Sequence, residues 1–168
     1  MLGIKEAILI STSYISFHLE LIAAALLFSS PINAFVFPEG FMTPTIEDVF
    51  ALVGLPPDGM DCHPDMFKDY RRSNPSCLYT YGGDYMRSYP SYSDCPYGSV
   101  VDVYCKNSGP IRIKEEISFY HIWICKFLTC NASKRNVKYI FCIAQCLVND
   151  RKVALAPFFL GELYQHHV

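Results

Sequence analysis

No CxxC pair occurs in the chain, no glycine-rich loop suited to cradling phosphate, no unbroken apolar stretch of the ~20 residues a membrane span needs, and no large charge excess. Without paired-cysteine spacing the common four-ligand zinc site has no signature here. A formal charge of −2 gives no global electrostatic reason to seek nucleic acid, so any such contact has to be local. The apolar run at residues 21–28 has the length of a signal-peptide core. However, His18 and Glu20 stand directly before it, and Lys5 and Glu6 cancel, so a basic leader is missing. The run is expected in a buried helix, not in a membrane. No nucleophile, acid or base can be nominated together with a partner, which leaves no catalytic candidate, no cofactor and no lysine set to form a Schiff base.

What is present suits one folded domain. A chain of 168 residues can bury about 70% of its unfolded surface, and 12 Phe and 12 Tyr argue against wholesale disorder. Eight cysteines stand at 62, 77, 95, 105, 125, 130, 142 and 146. Because Cys125, Cys142 and Cys146 fall inside apolar helical patterns, reduced core thiols are expected in preference to disulfides or a metal. Cys142 and Cys146, four apart on a helix, could present two thiolates on one face, but no second pair matches them and core filling is favoured.

The most sharply punctuated stretch is residues 35–59, FVFPEGFMTPTIEDVFALVGLPPDG. Phe35, Val36 and Phe37 are β-formers stopped by Pro38 and Gly40. A helix then starts with Thr43 as cap and Pro44 at its first position, or with Thr45 as cap and Asp48 three residues on. Ile46, Val49, Phe50 and Val53 make one apolar stripe. Gly54 is placed to close the helix in a left-handed conformation, Leu55 to fold back on its last turn, and Pro56 and Pro57 to prevent continuation.

Ahead of this stretch, Ile8, Ile15, Leu19, Ile22 and Leu26 fit helical spacing, with Ser11, Thr12 and Ser13 marking a break. After it, residues 61–107 read as a loop-rich insertion of Pro, Gly, Ser, Asp and Tyr, with a short strand at Val100, Val101 and Val103. Its tyrosines could form a stacking platform for single-stranded nucleic acid, but nearby Asp residues offset Arg71, Arg72 and Arg87, and a loosely ordered insertion is favoured. Order returns at 108–165. Glu115 and Glu116 suit a helix N-terminus, and Ile113, Ile117, Tyr120, Ile124, Phe127 and Leu128 form a stripe with Trp123 beside it. A second helix carries Val137, Ile140, Phe141, Ala144 and Leu147 or Val148 on one side, and a third covers 155–164 with Pro157 in its first turn. The fold class is therefore mainly α, a small helical domain over 1–168 with a short β element near Phe35 and a long loop-rich middle. The stripes at 46–53 and 117–128 are expected to share a core, since each leaves several large apolar groups needing cover.

Two blocks carry a family resemblance. Phe37-Pro38-Glu39-Gly40, Met42-Thr43, Thr45-Ile46-Glu47-Asp48-Val49 and Gly54-Leu55-Pro56, in the block at 20–60, resemble the signature of the plant mobile domain family. Trp123-Ile124-Cys125-Lys126-Phe127, the run from Arg151 and Lys152 to Leu155 and Pro157, and Leu163-Tyr164 are similar to its second block. Members usually have further helices between the blocks and a longer C-terminal part, so the resemblance implies a partial or internally shortened domain. It further implies transposon ancestry, a nuclear location, a protein or chromatin partner, and links to meristem maintenance and genome silencing. The label "aminotransferase-like" attached to some members finds no supporting residue here, and a non-enzymatic module is expected.

Three minor features remain. Asn131-Ala132-Ser133 is a glycosylation pattern that matters only in the secretory route. His63 beside Cys62, or the pair His166 and His167, could help bind a metal, but a histidine pair at the end of the sequence reads as solvated and a ligand role is disfavoured. Lys134, Arg135, Lys138, Arg151 and Lys152 offer a basic patch around one interhelical turn, the basis of an alternative reading as a nucleic-acid-binding part of a transposon protein; solvated helix ends explain them as well.

Overall fold

The computed structural model describes residues 2–14, 19, 23, 26–62, 98, 109–129 and 140–165. Nearly all of the 61–107 insertion lies outside these, as do Lys134, Arg135, Lys138, Asn131, the three histidines at 63, 166 and 167, and four of the cysteines. The described residues form five helices and one small antiparallel sheet, a mainly helical fold. Chain packing divides into unit 1, residues 1–58 with 154–168, and unit 2, residues 59–153.

In unit 1, α1 (Leu2–Thr12) buries Ile4 and Ala7, one helical turn apart. It stops where the sequence places a break. Ser11 donates to Ile8 O at 2.7 Å, Thr12 to Leu9 O at 2.9 Å and Ser13 to Leu9 O at 2.9 Å, so three hydroxyls compete for helical carbonyls. Leu26 does not continue an inward stripe. It is 81% exposed in the turn before β1 (Phe28–Ser29), where the chain swings round to pair with the next strand and Leu27 O accepts from Val36 N. Leu19 is exposed too.

A short 3-10 turn, Ser30–Ile32, leads through Asn33 at φ 48 into β2 (Ala34–Phe37) and then β3 (Gly40–Met42). The order is β1-β2-β3, with Phe28 opposite Phe35 and Phe35 opposite Met42. Side chains alternate along a strand, so Phe28, Phe35, Phe37 and Met42 share one face of the sheet. On that face Phe28 meets Phe35 edge-on at 5.1 Å.

Helix α2 (Ile46–Val53) follows. Of the two physically sound starts, the structure takes Thr45: its Oγ1 accepts from Asp48 N at 3.2 Å, and its own N–H donates to Asp48 Oδ2 at 2.8 Å, a reciprocal capping box. Gly54 closes the helix at φ 73 with its N–H on Phe50 O, and Leu55 behind it is fully buried. The expected stripe is narrower than its spacing implies. Val49 is buried and Ile46 and Val53 are half-buried, but Phe50 is 51% exposed; α2 packs against α1 and α5 (Leu155–Gln165), and Val49 is its buried residue.

In unit 2, α3 (Ile113–Trp123) begins with Glu115 accepting from Arg112 N at 2.9 Å. Ile113 is exposed, because it precedes the first turn that packs, whereas Ile117, Tyr120, Ile124 and Leu128 are buried as expected. The helix does not end at Trp123 but widens into a π turn, Ile124–Leu128, with Thr129 N donating to Ile124 O. Helix α4 (Ile140–Val148) packs on α3 and the π turn. It is buried on every side from Ile140 to Leu147, not on one side only, as befits a helix apolar all round. Arg151 N on Cys146 O and Asp150 N on Leu147 O, with Asp150 at φ 54, close it in a Schellman turn. The α2 stripe and the α3 stripe thus each have partners inside their own unit.

Candidate binding groove

The second sequence block is split between the units. Trp123, Lys126 and Phe127 belong to unit 2, where Trp123 is buried, Lys126 is exposed, and the Lys126 ammonium stands 5.0 Å from the Phe127 ring centre. Leu155, Pro157, Leu163 and Tyr164 lie on α5 in unit 1, together with the first block. Ala156 N–H donates to Pro56 O at 3.0 Å, and the Tyr164 hydroxyl donates to Pro44 O at 2.7 Å. Pro157 sits third in α5, where its missing N–H costs the helix nothing.

These contacts hold α2 and the segment before it, and they leave a groove of about 320 Å³ beside the sheet. Its lining is Phe35, Phe37 and Met42 from the shared face of the hairpin, Thr43 and Pro44 from the connection, and Asp48 and Leu52 from α2. Asp48 and Leu52 are four apart and so lie on one side of α2, away from the buried Val49 line. Met42 is 64% exposed and Leu52 75%, so the floor is apolar and open to water.

Among the described residues Asp48 is the one charged group lining the groove, and its carboxylate is engaged by Thr45. The Thr45 backbone N–H and then its hydroxyl hold the Asp48 carboxyl below the usual carboxylate range. Burial, and secondarily the Asp48 charge, raises the Tyr164 phenol above its ordinary value, keeping it a donor to Pro44. Phe37, Met42, Thr43 and Asp48 therefore meet in one place, while Pro38, Gly40, Thr45, Val49, Gly54, Leu55 and Pro56 shape the turns and packing that position them.

Elsewhere the described residues read as structure. Cys62, Cys125, Cys142 and Cys146 are buried thiols outside any disulfide; burial first, then Asp61 and Cys146, pushes the Cys62 thiol up to about 12, so it is protonated at neutral pH. Among the described residues no three His, Cys, Asp or Glu side chains group as metal ligands, and no helix is long and apolar enough to cross a membrane. Of the basic patch, Arg151 and Lys152 are exposed in the α4–α5 connection. Lys152 also has a backbone role, accepting from Met60 N at 2.8 Å beside Gly59.

Charge divides with the units. Unit 1 carries seven acidic residues against Lys5 alone, whereas residues 59–153 carry nine acidic and thirteen basic residues. The total of −2 conceals this difference.

No similar curated protein and no similar solved structure was found. The plant mobile domain family model matches residues 3–167, so the motif residues that build the groove and its supports stand within a match that spans the chain, and the chain belongs to the plant mobile domain family.

Proposed function

We propose that the chain is a non-enzymatic binding module of a transposon-derived plant nuclear protein, and that the groove between the β2–β3 hairpin and α2 is where it engages a protein partner. The observation that carries this is the groove itself: Met42 and Leu52 stay largely in water above Phe35 and Phe37, although burying such side chains would gain roughly 1.5 to 3 kcal/mol each. Exposed apolar surface of this kind is the usual mark of an interaction site. Among the described residues the lining holds no nucleophile with a base, and its one carboxylate is committed to a helix cap, which supports a binding role over a catalytic one. The nuclear setting, the chromatin context and the ties to meristem maintenance and genome silencing come from the family resemblance and belong to the same proposal.

The test is selection of displayed random peptides on the full chain, followed by measuring the selected peptides on a Met42→Gln/Leu52→Gln variant. Both positions are exposed, so the variant keeps its fold. Loss of binding on the variant supports the groove; equal binding on both proteins refutes it. Turnover of a substrate that an active-site substitution abolishes without unfolding would refute the non-enzymatic part.

The second reading, nucleic-acid binding, is favoured by the basic excess of residues 59–153, which includes the exposed Arg151 and Lys152. Phosphate contacts release counterions, so binding to labelled duplex DNA has to weaken steeply between two salt concentrations. Negligible binding at both removes it.

A further inference from the structure

We infer that the groove takes a peptide segment with one or two bulky apolar side chains flanked by lysine or arginine. This rests on the groove being a binding site and adds the chemistry of its occupant. The floor selects apolar groups, since Phe35, Phe37, Met42, Pro44 and Leu52 offer no hydrogen-bonding side chain. At about 320 Å³ the space is at the low end of the ~300–1,000 Å³ of small-molecule sites, and those sites bury most of a ligand's surface. With Met42 and Leu52 mostly exposed, this groove covers only part of what enters it, which suits side chains projecting from a longer chain.

The surroundings select positive flanks. Glu39 stands in the turn between β2 and β3, Glu47 in the first turn of α2 next to Asp48, and both are exposed with no ion-pair partner among the described residues. From residue 7 to 58, and again along α5, there is no lysine or arginine. Positively charged peptide flanks meet exposed carboxylates here, while phosphate-bearing ligands and acidic peptides meet repulsion from them. Charge complementarity thus separates this surface from any nucleic-acid contact, which would fall to residues 59–153.

The test uses three synthetic peptides that share one Leu/Phe-containing centre and carry Lys/Arg, Ser or Glu flanks, titrated into the full chain by fluorescence anisotropy. Exposed pairs contribute little singly, so the expected preference for the Lys/Arg peptide over the Ser peptide is about fivefold, with the Glu peptide weakest. The preference should collapse in a Glu39→Gln/Glu47→Gln variant and at 1 M salt, where the Debye length falls to ~3 Å from ~10 Å at 0.1 M. Equal affinity for all three peptides, abolished by Met42→Gln/Leu52→Gln, would overturn the inference and leave the groove as a binding site. Failure of all three to bind, or binding indifferent to Met42 and Leu52, would overturn both.

Discussion

The Tyr164 hydroxyl donates to the Pro44 carbonyl at 2.7 Å across a sequence separation of 120 residues, joining α5 to the segment that floors the groove. Tyr164→Phe removes the donor and leaves the ring in place. The expected loss is about 1 kcal/mol, more if Pro44 O finds no water in exchange. Urea melts of the two proteins measure it. Because the folded state raises the Tyr164 pKa, through burial first and Asp48 second, this contribution is present below the ordinary tyrosine pKa and is lost as pH rises through the raised one. The gap between wild type and Tyr164→Phe should therefore narrow on the alkaline side.

Asp48 works in the opposite direction. Thr45 lowers its pKa in the folded state, so its share of stability is present above the ordinary carboxylate range and is lost as pH falls through the lowered value. Asp48→Asn should sit below wild type in urea midpoint at neutral pH and converge with it in acid. A gap that stays constant with pH would mean the capping box adds nothing through charge.

Val49→Asp and Glu47→Ala lie two residues apart on α2 and should differ severalfold. Val49 is 5% exposed, so a carboxylate there is buried without a partner, at about 3 to 5 kcal/mol. Glu47 is exposed in the first turn, where losing a favourable helix-end charge costs roughly 0.3 to 1 kcal/mol. Equal urea midpoints would mean that α2 is not docked along the Val49 line.

Gly59→Ala should be among the most damaging changes in unit 2. Gly59 has φ 133, and a Cβ there would stand 2.7 Å from the carbonyl carbon and oxygen of Lys152, backbone atoms with no rotamer to yield. Strain and overpacking together make roughly 2 to 5 kcal/mol. The parallel bridge between Met60 and Val153 would open as well, which amide exchange at Met60 N–H reads directly.

Local grammar was legible in the residues: the Thr45–Asp48 box as one of two sound helix starts, the Gly54 stop, the hydroxyl break after α1 and the span of α5 all follow from groups within a few positions of one another. Phe50 and Ile113 escaped the stripe reading because spacing gives the faces of a helix but not how many of them a neighbour covers, and Leu26 escaped it because the chain turns there into β1 instead of continuing a helix. The π turn after Trp123 had no signal beyond an unbroken apolar pattern that an α-helix satisfies equally. The groove was half legible. Strand alternation puts Phe35, Phe37 and Met42 on one face and helical spacing pairs Asp48 with Leu52, but their meeting is a tertiary fact. The acidic character of the groove's surroundings was hidden because a whole-chain charge averages unit 1 with unit 2.

Whether the groove is the working surface is tested most directly by NMR on chain labelled at the methionine methyl groups. Among the described residues, Met42 is the methionine that lines the groove, and Met60 does not. Titration with the Lys/Arg-flanked peptide should shift the Met42 methyl signal saturably, and Leu52→Gln should weaken that shift. A Met42 signal that stays fixed while the peptide binds, or while another methionine responds, would contradict the assignment of function to this groove.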